Sequence, residues 1–315
     1  MSKGKNNRSK NVRIVTMLPS ATEIIDGIGQ TRNLVARSHE CDFPPEIQRL
    51  PIATFANIDS KATSQVIDTE VQSRLANGLS LYGIHQELLR DLQPDFIVTQ
   101  TQCDVCAVSL ADVKTFLKEE VGVHAELIVL APNTLEDVWQ DIRNVSQTVG
   151  VPQRGLGLVA NLEERLHSIQ SQSQSLPRPR VAMIEWTEPL MAAGNWVPQL
   201  VKLAGGENLL GETGIHSNWM TEDDLIVANP DLIIVTPCGF DLERTKTEMT
   251  ALTRLPRWTQ LNAVKNKQVF AVDGNAFFNR PGPRLVESAE ILAEILHPTH
   301  FSFGHSGIAW QQFTP

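Results

Sequence analysis

Tyrosine occurs once in this chain of 315 residues and cysteine four times, and acidic residues outnumber basic ones by 36 to 27. The resulting net charge of −9 argues against a general nucleic-acid binder, whose phosphate contacts need a basic surface. No apolar run approaches the roughly 20 residues that cross a bilayer. The apolar core of a secretory leader is missing too. The basic, polar stretch MSKGKNNRSK gives way to seven residues, Val12 to Leu18, that Arg13 interrupts and Pro19 ends. The sequence therefore predicts a cytoplasmic protein with a disordered tail over residues 1–11. In a reducing compartment the few cysteines read as buried thiols, metal ligands or redox groups rather than disulfides. GxSxG, HExxH, Walker A and a complete dinucleotide fingerprint are all absent, so no nucleophile is named with its base. Enzymatic activity is left open, with the balance against it.

What is present suits two globular cores: 42% hydrophobic and 20% charged residues over a length that allows two domains. The distinctive stretch is Pro94 to Ser109, PDFIVTQTQCDVCAVS. Phe96–Thr99 reads as a buried strand, and Cys103 and Cys106 follow it. Much later Pro230-Asp231 opens a second apolar strand, Leu232–Thr236, that also runs into a cysteine, Cys238. This repetition predicts two related halves. Strands over Val12–Met17, Leu34–Arg37, 96–99 and 125–130 alternate with helices, which predicts a parallel sheet covered on both faces. Residues 64–92 read as helical with a break near Gly78–Gly83. The expected layout is a first α/β lobe over 12–150, a connecting helix over 151–175, a second α/β lobe over 176–298, and a C-terminal tail over 299–315. Strands over 181–185, 232–236 and 268–272 and a last helix over 284–296 belong to the second lobe.

The order of several weak motifs resembles the cobalamin-type (class III) substrate-binding proteins of ABC importers, the fold that binds vitamin B12, haem and siderophores. They are Arg13-Ile-Val-Thr-Met-Leu-Pro-Ser-Ala-Thr-Glu-Ile, Leu92-Gln-Pro-Asp-Phe-Ile-Val, Gly194-Asn-Trp-Val-Pro-Gln-Leu-Val-Lys-Leu-Ala-Gly-Gly, Asn229-Pro-Asp-Leu-Ile-Ile-Val and the loop Asn275–Pro283. The resemblance covers about residues 12–297. It implies two lobes joined by one long helix, a ligand cleft between them and limited hinge motion. SHECDFP, TQCDVCAVS and TPCGF resemble a cysteine-containing subgroup often labelled cobalamin-binding, and the chain departs from secreted members in lacking a leader. Glu23 resembles the surface glutamate that importing members offer to a membrane partner; the plain alternative is an acid in the first turn of a helix.

Ligands in open parallel sheets sit beyond the carboxyl ends of the strands. The loops there nominate Cys41, Cys103, Cys106 and Cys238, with His39, as ligands for a soft metal or an Fe–S cluster. Buried thiols are the alternative. His39 is also a candidate for a corrinoid cobalt, and Asp42 and Asp104 for supporting acceptors. Trp186, beside Glu185 and Glu188, and Trp196, Phe240, Phe277 and Phe278 are candidates to stack on a corrin or porphyrin. Ser20 and Tyr82 are candidate contacts from the first half. Arg280 and Arg284, flanking Pro281-Gly-Pro283, are candidates for a ligand carboxylate or phosphate. Two readings follow: a binding protein for a cobalamin-like or metal-containing ligand held between the lobes, or a metalloprotein or enzyme with a cysteine-held metal or Fe–S centre there. A dithiol switch at the CxxC is a third. The expected partners are a small molecule or metal complex, with no nucleic acid or membrane span, and a permease partner is doubtful without export.

Overall fold

In the computed structural model, which describes residues 12–101, 108–119 and 124–314, the two Pro-Asp strands lie inside two separate sheets. The first lobe runs β1 (Ile14–Thr16), α1 (Pro19–Gly27), β2 (Leu34–Ala36), β3 (Thr54–Ala56), α2 (Ser64–Ala76), β4 (Tyr82–Ile84), α3 (Gln86–Leu92), β5 (Phe96–Gln100), α4 (Leu110–Glu119), β6 (Glu126–Leu130) and α5 (Leu135–Thr148). Its main sheet has the order β2-β1-β5-β6 and is parallel throughout. β3 and β4 form a separate antiparallel pair. A helix of 22 residues, α6 (Pro152–Ser173), leads to the second lobe.

That lobe runs β7 (Arg180–Thr187), β8 (Leu190–Ala192), α7 (Val197–Leu203), β9 (Glu207–Asn208), β10 (Asn218–Trp219), α8 (Glu222–Ala228), β11 (Leu232–Val235), α9 (Leu242–Glu248), α10 (Asn262–Lys265), β12 (Val269–Val272), α11 (Leu285–Leu296) and β13 (Trp310–Gln312). Its sheet has the order β10-β8-β7-β11-β12-β13, with β9 also on β7. The centre is parallel, as the sequence predicts, but β8, β10 and β13 are antiparallel additions.

The repeat has a physical meaning. Asp95 accepts from the backbone N–H of Arg13 at 2.9 Å, and Asp231 accepts from that of Arg180 at 2.9 Å. Each arginine in turn donates to carbonyls at the end of the preceding helix: Arg13 to Leu92 O at 2.6 Å, Arg180 to Ala228 O at 2.8 Å. Gln93 and Asn229, one residue before each proline, both turn into the left-handed region. One Arg/Pro-Asp clasp thus pins the start of a central strand to its neighbour in both lobes.

The second sheet is buried on both faces, which explains its unbroken apolar runs. Along β7, Val181 and Met183 join one core and Ala182 and Ile184 another; Ile234 and Ile233 divide likewise on β11. The first of these cores continues through Val159, Leu162, Leu166 and Ile169 of α6 into the first lobe. At Gly155 a Cβ would come within 1.9 Å of Ser146 Oγ, so only glycine lets α6 lie this close to α5. Toward its other end Arg165 pairs with Glu290 of α11 at 2.6 Å.

Two expectations change. The break near residues 78–83 runs into a strand, β4, and is not merely an interruption between helices. The C-terminal tail is part of the second lobe. Glu294 accepts from Gly304 N (2.7 Å) and Trp310 Nε1 (2.8 Å), His305 bonds Glu290 (3.0 Å), and β13 pairs with β12. Among the described residues no helix is long and apolar enough to cross a membrane.

Candidate functional site

The loop after β12 crosses to the first lobe and carries the most charged contact between the two. Arg280 grips Asp42 with both terminal nitrogens, at 2.6 and 3.0 Å, and reaches Glu23 at 3.2 Å. Asn275 closes the arrangement. Its Oδ1 accepts from Arg280 at 2.9 Å and its Nδ2 donates to Asp42 at 2.9 Å. Arg284 lies 3.8 Å from Glu23 and rests between the rings of Phe43 and Phe277, 4.4 and 4.5 Å from their centroids. A bidentate arginine–carboxylate pair is strong and directional, so this cluster sets the relative position of the lobes at this point.

Local backbone geometry aims Arg280. Phe278 has φ 64°, a region bulky residues rarely adopt. Its N–H donates to Ser288 Oγ at 3.0 Å, and its carbonyl accepts from Trp196 Nε1 at 2.6 Å. The strained turn is thereby bonded on both sides, and Trp196 serves as its prop. Trp196 and Phe278 are buried in the second lobe.

Burial and charge decide the titration of this cluster. Glu23 is 3% exposed, and burial pushes its carboxyl up to about 7 against the opposing pull of Arg280 and Arg284. The surface-glutamate role expected from its motif is corrected on that ground, since a buried side chain held by Arg280 offers nothing to an external partner. Glu40 is likewise raised by burial to about 7. Burial would raise Asp42 as well, but its bonds to Arg280 and Asn275 hold it below its ordinary value. Ser20 Oγ and Glu23 Oε2 are buried with no hydrogen-bond partner among the described residues.

His39 stands apart from this cluster, against the β3–β4 pair. Its Nδ1 meets Thr54 Oγ1 at 2.7 Å, and Thr54 donates in turn to Ser38 at 3.1 Å. Tyr82, on β4 and mostly buried, has its ring centroid 5.7 Å away. Burial, with Arg37 and His85 nearby, lowers the imidazole pKa. A neutral ring bonded through Nδ1 has Nε2 as its remaining donor atom.

Of the four cysteines nominated by the sequence, two, Cys41 and Cys238, fall within the described residues. Cys41 is 2% exposed in the core of the first lobe, 3.0 Å from Thr22 Oγ1, and burial pushes its thiol up to about 11. Burial therefore favours the protonated thiol, as in a packing residue. Cys238 is half-buried in the loop after β11. Cys103, Asp104 and Cys106 lie outside the described residues. Among the described residues no three His, Cys, Asp or Glu side chains are grouped to hold a metal ion.

The aromatic candidates are redistributed too. Trp186 and Phe240 are buried against each other with centroids 5.1 Å apart, and Phe277 is buried beneath Arg284. The rings with accessible surface include Phe43, Phe55 and Trp219, exposed by 37, 39 and 55%. Phe43 adjoins the Arg280 cluster. Trp219 sits on β10, opposite Met191, which itself pairs with Trp186. The sequence signal for Phe43 was its place beside Asp42; nothing in the pattern around Trp219 distinguished it from a core residue. Glu185 accepts from Ser217 at 2.7 Å, and Glu188 precedes the turn into β8.

A sequence profile of the family described as periplasmic binding protein matches residues 14–276. The chain is 22% identical over 298 residues to an uncharacterized ABC transporter substrate-binding lipoprotein of Bacillus subtilis, covering 92% of this chain and 81% of that one. It is 22% identical over 288 residues to a vitamin B12-binding protein of Vibrio vulnificus, covering 90% and 89%. Among solved structures, the periplasmic haem-binding protein RhuT of Roseiflexus superposes with a TM-score of 0.68 at 21% identity, over 92% of this chain and 99% of that one. The periplasmic vitamin B12-binding protein BtuF of Vibrio cholerae superposes with 0.61 at 22%, over 90% and 96%. These relatives overturn the expectation of a cytoplasmic protein, because they are described as a lipoprotein and as periplasmic proteins.

Proposed function

The chain belongs to the periplasmic binding protein family, and from that premise we propose that it is the substrate-binding component of an ABC importer whose cargo is a metal-centred macrocycle, a corrinoid or a haem, held between the lobes. The supporting observation is the match to a vitamin B12-binding relative over 90% of this chain and 89% of that one. Each lobe contributes chemistry that suits such a cargo. Phe43 and Trp219 offer flat apolar faces on opposite lobes. His39 offers a neutral imidazole whose orientation Thr54 fixes, a suitable axial donor to a cobalt or iron centre. Arg284 supplies positive charge for a peripheral carboxylate or phosphate, while Arg280, already gripped by Asp42, keeps the two lobes in register beside it.

The alternative of a resident cysteine-ligated centre has less support. Cys41 is buried in the core beside Thr22, and among the described residues no three His, Cys, Asp or Glu side chains are grouped to hold a metal ion.

Titration of purified protein with cyanocobalamin and with haemin, followed by visible difference spectra and calorimetry, tests the reading. Binding of one with a dissociation constant in about the micromolar range or tighter, and a shifted visible spectrum that His39→Ala removes, is the expected outcome. Absence of binding to both overturns the cargo assignment.

A further inference from the structure

The segment between β3 and α2 crosses from the first lobe to the second. Arg244 of α9 donates to two of its carbonyls, Ser60 O at 2.5 Å and Ala62 O at 2.6 Å. One turn further along α9, Glu248 accepts from Ser64 N at 3.3 Å. An acid there also meets the favourable end of the α2 dipole. The hydroxyls of Ser64 and Thr187 lie 3.0 Å apart, and Thr187 is the last residue of β7.

Beneath this clasp lies the buried aromatic pair. The Arg244 guanidinium sits 3.5 Å over the Phe240 ring, and Phe240 packs on Trp186. These rings stand at the carboxyl ends of β11 and β7, where the fold places ligands. The crossing segment itself is thin. Asp59, Ser60, Lys61 and Thr63 are exposed, and of the residues in α2 only Ser64 is buried. Ile58 is partly buried against the core; the bonds that tie the segment to the second lobe are polar, so little apolar surface beyond Ile58 is lost on opening. Elements of that kind occupy the low-stability end of a fold.

We propose that residues 57–64 form a lid, clasped to the second lobe by Arg244 and Glu248, whose release uncovers the Trp186–Phe240 pair together with a freed Arg244. The uncovered surface fits a flat ring system carrying a carboxylate or phosphate, the ring on the aromatic pair and the anion on the guanidinium. The ligand half of this proposal rests on the binding reading above; the clasp does not.

Two measurements test it. Hydrogen exchange of the amides in 57–66 is compared between wild type, Arg244→Gln and Glu248→Gln. Exchange faster by about tenfold or more in the variants, confined to this segment, is expected from the loss of charge-assisted hydrogen bonds. Unchanged exchange overturns the clasp. For the second, Ser64→Cys and Thr187→Cys are combined, the two hydroxyls being 3.0 Å apart, and formation of the disulfide on oxidation is confirmed by thiol titration before rates are read. Association and dissociation of cyanocobalamin and of haemin are then followed in oxidised and reduced protein, with wild type treated in parallel. Slowing on oxidation that reductant reverses, in the variant alone, supports a lid. Rates indifferent to the crosslink overturn it. Wild type that binds neither probe overturns the proposed cargo and the ligand half with it, whereas the exchange measurement still decides the clasp.

Discussion

Glu23 shows how a single residue can change meaning between sequence and structure. Near a helix start it reads as a surface acid stabilised by the dipole. In the fold it is enclosed by Arg280 and Arg284, and its carboxyl holds a proton up to about 7 instead of the ordinary 4.5. The folded chain then binds more protons than the unfolded one between those two values. Its contribution to stability is complete below pH 4.5 and is lost as the pH rises through about 7. Glu40 acts in the same direction over the same window. A shift of this size corresponds to about 3 kcal/mol. Glu23→Gln, neutral at every pH, is expected to flatten the fall in stability between pH 5 and pH 8 by about 1 to 3 kcal/mol, read by urea unfolding at both values. Equal pH dependence in variant and wild type would contradict the buried placement.

Helix α6 carries the lesson at the scale of an element. Two of its residues are glycines with opposite surroundings. A Cβ at Gly155 meets Ser146 Oγ at 1.9 Å, whereas at Gly157 nothing lies within 4 Å. Gly155→Ala must push α6 off α5 and is expected to cost about 1 to 3 kcal/mol. Gly157→Ala, on the exposed side, is expected to add about 0.5 to 1 kcal/mol through helix propensity. Thermal or urea unfolding of the pair checks this, and two substitutions of the same sign would show that the α5–α6 contact is not as close as described. The helix itself was legible from its apolar spacing. So were the Arg/Pro-Asp strands, because long apolar runs and their flanking turns are local signals. The short strands β3, β4, β8, β9, β10 and β13 were not. Their pairing partners supply the signal, and those lie elsewhere in the chain.

For the whole molecule, the decisive feature is a core that passes from the first lobe through α6 into the second without interruption. Separating the lobes would expose that apolar surface and break the Arg280–Asp42 pair. Ligand entry by a wide hinge is therefore disfavoured, which leaves room for a local lid. Small-angle scattering with and without bound ligand is expected to give the same radius of gyration, about 20 Å for a chain of this length. A clear contraction on binding would instead show rigid-body closure.

The sequence alone determined the two-lobed α/β architecture, because apolar periodicity, the Pro-Asp repeat and the ordered family motifs are carried in contiguous residues. Burial decided the rest. Which cysteine packs, which aromatic ring reaches solvent and which arginine is already occupied depend on neighbours far away in the chain. Cys41 went into a core, Trp196 became a prop for the Phe278 turn, and Arg280 met Asp42 of the other lobe. Chemistry proposed from residue type becomes specific only when the fold sets what each side chain touches.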